Sequence, residues 1–137
     1  MQRATSGRVT VEGTEVGRLD GPGLVVLLGV THTDGPEQVG VIARKIANLR
    51  IMAAELSAVD AGAGVLLISQ FTLYADTAKG RRPSWGAAAP GPVAEPLVDA
   101  VAEALRGHGL TVATGRFGAD MAVELVNDGP MTLLLEA

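Results

Sequence analysis

The apolar residues of the chain change their spacing several times, which indicates alternating strands and helices. Val9-Thr10-Val11 alternates apolar and polar positions before Glu12-Gly13, and Glu15-Val16-Gly17 follows. This pattern predicts a strand, a tight turn and a second strand. Leu24–Val30 is apolar throughout and rich in β-branched residues. It is therefore expected to be a central strand covered on both faces.

Two segments have the spacing of amphipathic helices. The first begins near Pro36, where Pro and Glu occupy the first turn, and a short strand over Leu49–Ile51 is predicted after it. The second ends at Gly107, a residue typical of helix C-termini. The apolar positions that recur at helical spacing are Val39, Ile42, Ala43, Ile46 and Leu49 in the first helix, and Leu97, Val98, Val101 and Leu105 in the second.

The remaining apolar runs predict further strands. Val65–Ile68 is expected to be a buried strand that Ser69–Leu73 extends, and Leu110–Val112 a short one. Met121–Val126 and Met131–Leu135 are predicted to be two strands joined by a turn.

Together these elements predict an α+β fold. We expect a single domain over residues 1–137, with a mostly antiparallel sheet or partial barrel and two main helices on one face.

Composition excludes several classes of function. The chain has 137 residues and no cysteine, so disulfides, thiolate catalysis and cysteine-bound zinc are excluded. No His and carboxylate cluster has metal-site spacing, and no phosphate-loop motif is present, so no cofactor or metal is expected. The net charge of −4 argues against a broad nucleic-acid-binding face. The polar start of the chain and the short apolar runs predict a cytoplasmic protein without membrane contact.

One candidate site lies where the Val65–Ile68 strand ends, in Ser69-Gln70-Phe71-Thr72. Thr72 is a candidate nucleophile, but a hydroxyl needs a base to activate it. His32 and His108 lie in turn-like segments, so a Ser-His-Asp triad is not indicated. Considered alone, the four residues are also compatible with a polar strand end at a sheet edge.

Three other segments contain candidate functional residues, but each segment is a weak indication of function when it is considered alone. Asn127-Asp128-Gly129-Pro130 has the composition of a hairpin turn, and its Gly-Pro bond is of the kind that can be cis. Arg116–Met121 sets an aromatic ring and a thioether beside small residues, which could receive a flat base. Lys79, Arg81 and Arg82 form the one basic cluster, either a solvated loop or a phosphate contact.

In combination, these motifs resemble the D-aminoacyl-tRNA deacylase family, in that family's order and over nearly the whole chain. The pair formed by Ser69–Thr72 and Asn127–Thr132 is the most specific part of the match. The resemblance implies a hydrolase that cleaves the ester between a D-amino acid, or mischarged glycine, and the tRNA 3′ end. It also implies a homodimer with a site at each subunit interface, and aminoacyl-tRNA as the partner.

The resemblance also implies roles for individual residues. Ser69, Gln70, Phe71 and Thr72 match the strand that lines the amino-acid pocket. Gly129-Pro130 matches the Gly-cis-Pro element that enters the other subunit's pocket and rejects L-amino acids. The residues that would support this element are Arg3, Asn127, Met131 and Thr132. The residues that match the region for the terminal adenosine and the tRNA end are Phe117, Gly118, Ala119, Met121, Lys79, Arg81 and Arg82.

The resemblance departs from the family pattern in two places. Fewer residues precede Gln2-Arg3, so a shortened first strand and weaker anchoring of Arg3 are expected. The loop over Ile51–Leu56 is also shorter. Two other functions remain open from the residues: a dimeric module that binds a nucleic-acid end without chemistry, and a small-molecule esterase or amidase that uses Thr72.

Overall fold

A computed structural model describes all 137 residues as a six-stranded sheet with three α-helices. In chain order the elements are β1 (Gln2–Val11), β2 (Thr14–Arg18), β3 (Gly23–Leu28), α1 (Pro36–Asn48), α2 (Ala58–Ala61), β4 (Gly64–Ser69), α3 (Gly91–Gly107), β5 (Val112–Thr114) and β6 (Ala122–Thr132). Short 3₁₀ turns cover Ala53–Glu55 and Phe71–Tyr74. The expected α+β class and the two main helices, α1 and α3, are confirmed.

The sheet is mixed and curls towards closure. Its order is β2-β1-β3-β4-β5, and β6 also pairs with β1. Strand β1 is antiparallel to β2, β3 and β6, whereas β3, β4 and β5 run parallel. The two ends of this order meet at Gly17, where a Cβ would lie 2.3 Å from the carbonyl oxygen of Thr114. Only glycine allows β2 and β5 to approach this closely, so the sheet becomes a partial barrel.

Alternate residues of the central strands enter two separate cores. Leu24 and Val26 of β3 and Val65 and Leu67 of β4 pack beneath α1 and α3. The residues between them face the inside of the curled sheet, where the buried set is Ala4, Val9, Leu19, Val25, Leu66 and Ile68. Both helices therefore lie on one face, as expected, and the apolar runs of β3 and β4 reflect burial on both sides.

The predicted strand over Leu49–Ile51 is wrong. The Leu49 N–H still donates to Lys45 as the C-cap of α1, and the Ile51 N–H turns back to the carbonyl oxygen of Leu49 at 3.0 Å. The carbonyl oxygen of Ile51 accepts from Arg3 instead of from a neighbouring strand. These backbone groups thus bond locally and to a side chain, and the segment pairs with no strand.

The predicted extension of β4 to Leu73 is also wrong. The strand ends at Ser69, the Gln70 N–H closes the ladder on Leu28 at 2.8 Å, and Phe71–Tyr74 forms a 3₁₀ turn. A Cβ on Gly29 would lie 3.2 Å from the carbonyl oxygen of Gln70. The turn packs closely on this glycine, a tertiary contact that apolar periodicity does not reveal.

The predicted hairpin at Asn127–Pro130 is a bulge within one strand. Strand β6 is continuous, and both of its halves pair with β1, through Ala4 opposite Asn127 and Gln2 opposite Thr132. Between these two pairs β1 advances by two residues while β6 advances by five. The extra residues of β6 therefore bulge out of the hydrogen-bonded ladder. The turn-like composition marks a real irregularity, but the chain does not reverse there.

The predicted strand over Leu110–Val112 is present but shifted, since β5 covers Val112–Thr114. Strand β1 begins at Gln2, so the first strand is long despite the short N-terminal segment. No helix is both long and apolar enough to cross a membrane. No group of three or more His, Cys, Asp or Glu side chains is arranged to hold a metal ion.

Candidate active site

A cavity of about 400 Å³ opens at the end of β4, between the start of α3 and the segment before β6. It brings together eight of the residues expected from the sequence: Ser69, Gln70, Phe71, Thr72, Phe117, Gly118, Ala119 and Met121. Its buried lining residues are all apolar: Val30, Ile68, Ala89, Ala94 and Val98. Such a cavity, mostly apolar with few polar groups, is the usual form of a small-ligand site.

The 3₁₀ turn after β4 supplies most of the polar groups of the cavity. The Gln70 amide nitrogen Nε2 donates to Thr72 Oγ1 at 2.5 Å, which fixes both side chains. The backbone N–H groups of Phe71 and Thr72 lie at the start of the turn, where no carbonyl of the turn can accept from them. This end of β4 therefore presents two free backbone donors beside a hydroxyl, a geometry suited to binding an oxyanion.

The opposite wall carries Phe117 and Met121. The Gly115 N–H donates to the carbonyl oxygen of Leu67 at 3.0 Å, which ties this wall to β4. A Cβ on Gly115 would lie 2.6 Å from Met121 Sδ, so the thioether occupies the space that a side chain would fill. The Ala119 N–H closes a turn on Arg116 at 3.2 Å. Phe117 and Met121 thus flank the cavity with an aromatic ring and a polarisable sulfur.

The segment leading into α3 is attached to the turn after β3. Thr31 Oγ1 donates to the carbonyl oxygen of Ala87 at 2.7 Å, and His32 Nε2 lies 2.9 Å from the carbonyl oxygen of Gly86. The Ala89 N–H donates to the carbonyl oxygen of Val30 at 2.9 Å. His32 lines no part of the cavity, and its ring instead contacts the loop at Gly86.

The basic cluster lies outside the cavity, on a loop closed by two backbone hydrogen bonds between Asp76 and Ser84. Lys79, Arg81 and Arg82 are exposed at its tip. Trp85 follows the loop and meets the exposed ring of Phe71 edge to face, with 5.5 Å between ring centroids.

A second cluster surrounds Gly129 and is separate from the cavity. Arg3 Nε donates to the carbonyl oxygen of Asp128 at 3.2 Å, and Nη1 donates to that of Ile51 at 3.0 Å. The expected weak anchoring of Arg3 is therefore wrong. Gly129 has φ +125°, which is rare for L side chains, and a Cβ there would lie 3.1 Å from Arg3 Nη2. The Gly129-Pro130 bond is cis.

The Asn127 side chain closes the base of this bulge. Its Oδ1 accepts from the Met131 N–H at 2.9 Å, and its Nδ2 donates to Thr132 Oγ1 at 2.8 Å. Gly129 and Pro130 are exposed and do not line the cavity of their own chain. The residues expected to serve the site thus fall into three groups within a single chain: the cavity lining, the exposed basic loop and the cluster around Gly129.

The electrostatics of the cavity are simple. Asp120 is its only ionisable lining residue, and the sequence patterns do not single it out although they mark its neighbours. The signal that could have found it is a lone acid within a segment otherwise suited to a base-binding pocket. Nearby, the pKa of Tyr74 is raised, mainly by burial and then by the charges of Asp34 and Glu136. Tyr74 lies at the end of the 3₁₀ turn and outside the cavity.

A family profile and two close relatives agree on one family. A family profile described as D-Tyr-tRNA(Tyr) deacylase matches residues 1–136. A protein of Kineococcus radiotolerans named D-aminoacyl-tRNA deacylase is 74% identical over 137 residues, which cover 100% of this chain and 97% of that protein. A protein of Beutenbergia cavernae with the same name is 64% identical with the same coverage.

Two solved structures are also similar. One, named c-Myc DNA Unwinding Element Binding Protein, has a TM-score of 0.91 and 36% identity, covering 99% of this chain and 95% of that one. The other, described as a probable eukaryotic D-amino acid tRNA deacylase, has a TM-score of 0.80 at 16% identity, covers 93% of this chain and 92% of that one, and supports the fold alone. From the profile match and the close relatives, the chain belongs to the D-Tyr-tRNA(Tyr) deacylase family.

Proposed function

We propose that the chain hydrolyses the ester between a D-amino acid and the 3′ end of tRNA, releasing free tRNA. The observation that carries the proposal is the cavity that joins Ser69–Thr72 to Phe117 and Met121 in a member of this family. The apolar lining with Phe117 and Met121 suits an adenine ring, and the polar 3₁₀ turn suits the ester carbonyl. Aminoacyl-tRNA is made and used in the cytoplasm, where we therefore place the activity.

In the proposed mechanism the chain positions a labile ester and stabilises its transition state. Water adds to the ester carbonyl, and the N–H groups of Phe71 and Thr72 receive the oxyanion. The bond to the ribose oxygen then breaks, and that oxygen takes the proton. Because the cavity has no His or Lys, the adjacent ribose hydroxyl is the proposed aid to attack. Covalent attack by Thr72 is the competing mechanism.

The proposed chiral filter is Gly129-Pro130, supplied by a second copy of the chain. Two observations support this arrangement. The pair is exposed, lies outside the lining of its own cavity and follows the Asp128 carbonyl that Arg3 holds. Large apolar side chains near it in the sequence also remain exposed, with Val126 57% and Leu134 80% accessible. In a homodimer, the backbone of the pair would block an L side chain and leave a D side chain in solvent. Glycine, which has no side chain to block, would also be accepted.

The first experiment measures release of D-tyrosine and L-tyrosine from tRNA by the purified protein, in parallel assays. Rapid loss of the D ester with the L ester spared is the expected result. Equal rates on the two esters would show that Gly129-Pro130 does not act as a chiral filter. Release of neither amino acid would contradict the proposed hydrolase activity.

The exchange between subunits has its own test in mixed dimers of Phe117→Ala and Gly129→Ala subunits. If the filter acts in the partner's cavity, one of the two sites in a mixed dimer is intact, and about half of the wild-type activity returns. If each filter serves its own chain, both sites carry one defect and the mixture stays as inactive as either parent.

A second candidate function is nucleic-acid binding without chemistry, which the DNA-binding name of the 36% identical structure favours. The net charge of −4 and the small size of the exposed basic cluster at Lys79–Arg82 weigh against broad binding. A protein that retains tRNA ends but never releases the amino acid would support this candidate.

A further inference from the structure

Aromatic side chains are rare in this chain, and three of them gather around the cavity. The sequence contains only two Phe, one Tyr and one Trp. Phe71 and Phe117 line the cavity, and the Trp85 ring lies 5.5 Å from that of Phe71 between centroids. Trp85 is not a lining residue, so its ring adjoins the cavity through Phe71 and stands outside it.

The rings of Phe71 and Trp85 are exposed although both are large and apolar. Their accessible fractions are 57% and 40%. The two rings meet edge to face, with 86° between their planes, so at least one face of each ring lies outside the contact. Because Phe71 both lines the cavity and is exposed, the pair lies at the cavity opening. Open ring faces of this kind are surfaces on which nucleic-acid bases stack.

The backbone on both sides of Trp85 is held by hydrogen bonds. Ser84, which precedes it, forms the two hydrogen bonds with Asp76 that close the basic loop, at 2.8 and 3.0 Å. The carbonyl oxygen of Trp85 itself accepts from the Ala88 N–H at 3.0 Å. The ring is thus presented by an ordered segment, which lowers the entropic cost of ordering it when a ligand binds.

The neighbouring charges and the size of the cavity indicate what stacks there. Lys79, Arg81 and Arg82 are exposed on the loop that Ser84 closes, directly before Trp85. Surfaces that bind single strands combine such cations for phosphates with aromatic rings for bases. The cavity of about 400 Å³ is near the lower limit for a ligand pocket. It therefore suits one nucleoside with its ester and leaves the preceding nucleotide outside.

We propose that Trp85, together with the exposed ring of Phe71, stacks on the base of the nucleotide that precedes the terminal adenosine of the tRNA. Trp85 then binds the RNA strand and has no contact with the amino acid. This inference rests on the proposed hydrolase function and extends the substrate contacts beyond the terminal adenosine.

A binding test uses the fluorescence of Trp85, which is the only tryptophan of the chain and therefore the only source of this signal. The probe is the dinucleotide CpA that carries D-alanine through a 3′-amide, a linkage that resists hydrolysis. Its matched control is the same compound with an abasic ribose in place of the cytidine. The CpA probe should quench the emission of Trp85 in a saturable manner, and the abasic probe should leave it nearly unchanged.

A double-mutant cycle between Trp85 and the base tests the same contact in turnover. Wild type should cleave D-tyrosyl-CpA with a kcat/KM about five- to hundredfold above that for the abasic ester, the range expected for stacking of one base. Trp85→Ala should remove most of this preference, mainly through KM, and leave cleavage of D-tyrosyl-adenosine unchanged.

Two further variants separate stacking from general effects on the surface. Trp85→Phe keeps an aromatic face and should retain part of the preference for the cytidine base. Val59→Ala removes an exposed apolar side chain of α2 outside the cavity and should leave all rates unchanged. Melting temperatures of all variants report on folding.

An unchanged preference in Trp85→Ala, or a CpA probe that binds without quenching, would overturn the proposal and leave the hydrolase function intact. Equal losses on all esters, together with weaker self-association in sedimentation, would also overturn it, because the ring would then contact a second copy of the chain. If wild type cleaves no ester, the hydrolase function fails, and the difference in quenching between the two probes alone decides whether Trp85 stacks on the base.

Discussion

Arg3 Nε donates to the carbonyl oxygen of Asp128 at 3.2 Å and lies 3.1 Å from the Asp128 carboxylate. Through Nη1 the same guanidinium reaches the carbonyl oxygen of Ile51, and Nη2 lies close to Gly129. A single side chain thus joins the start of β1, the segment after α1 and the bulge of β6. Only a planar side chain with several donors can make these contacts together.

Arg3→Lys should therefore loosen the bulge while keeping the charge. A lysine ammonium is a compact point charge that cannot reach Asp128 and Ile51 in the same way. With about 1.5–3 kcal/mol for a hydrogen bond to a charged group, we expect the preference for D over L esters to fall by about 10- to 100-fold. Arg18→Lys, at an exposed arginine with only long ion pairs, is the control. An unchanged preference in Arg3→Lys would show that Arg3 does not orient the filter.

Gly129→Ala should disturb the bulge more strongly. The new Cβ would occupy a backbone conformation at φ +125° that L side chains rarely adopt, and it would meet Arg3 Nη2 at 3.1 Å. Strain of about 1–3 kcal/mol is typical at such positions. We expect kcat/KM for the D ester to fall by about 10- to 100-fold. Gly13→Ala, at φ +78° with open space around it, measures the cost of strain alone and should lower the melting temperature without affecting activity.

Sequence patterns are sufficient to predict the elements whose structure depends on burial of an apolar face. The run at β3 and the helical stripe of α1 report directly which faces are covered, and their positions are predicted within a few residues. The turn composition at Asn127–Pro130 also marks a real irregularity. Local composition cannot show whether the chain reverses its direction there or continues and pairs again with the same neighbouring strand. The outcome depends on pairing with β1, which is more than a hundred residues away in the sequence.

The site shows the same division between local and tertiary information. The sequence marks Ser69–Thr72 as a candidate site, but it predicts a strand where a 3₁₀ turn is present. The turn follows from packing on Gly29 and from the end of pairing with β3, and both are tertiary contacts.

The loop at Lys79–Arg82 should contribute to binding of tRNA but not of a short fragment. Its three basic side chains are exposed and outside the cavity, so they can reach phosphates only of a longer substrate. Replacing Lys79, Arg81 and Arg82 with Gln should raise KM for D-tyrosyl-tRNA. It should also reduce the salt dependence of binding, with a change in slope of about 0.7 for each single-strand phosphate that is no longer neutralised. D-Tyrosyl-adenosine should be cleaved as before. Equal losses on both substrates would place the loop at the reacting end.

The hydrogen bonds between Ser57 and Asp60 should make the stability of the fold depend on pH in the acid range. The Ser57 Oγ accepts from the Asp60 N–H at 3.1 Å and donates to the Asp60 carboxylate at 2.6 Å, and the hydrogen bonds from Ser57 lower the pKa of Asp60. A lowered pKa in the folded chain stabilises the fold at any pH above the pKa of an unfolded aspartate, about 3.9. This stabilisation is lost as pH falls through the lower pKa of the folded chain.

Ser57→Ala should therefore lower the melting temperature at pH 7, since loss of a helix N-cap costs about 1 kcal/mol. The gap in melting temperature should narrow as pH falls from about 4 through the lowered pKa of Asp60 in the wild type, where the carboxylate becomes protonated. Melting curves from about pH 2.5 to 7 test this, with the exposed loop variant Thr77→Ala as control. A gap that stays constant across this range would mean that the carboxylate of Asp60 contributes nothing.

Thr72→Val distinguishes the two mechanisms of ester cleavage. Valine keeps the shape of threonine but removes the hydroxyl that accepts from Gln70. If the ribose hydroxyl and the backbone donors carry the reaction, the loss in kcat should be about tenfold, because only an orienting hydrogen bond is removed. Loss of a covalent nucleophile would cost about 10⁴-fold or more. A tRNA ending in 2′-deoxyadenosine provides the complementary substrate, which should be cleaved slowly by wild type if the ribose hydroxyl assists. A large loss in Thr72→Val together with normal cleavage of the deoxy substrate would establish Thr72 as the nucleophile.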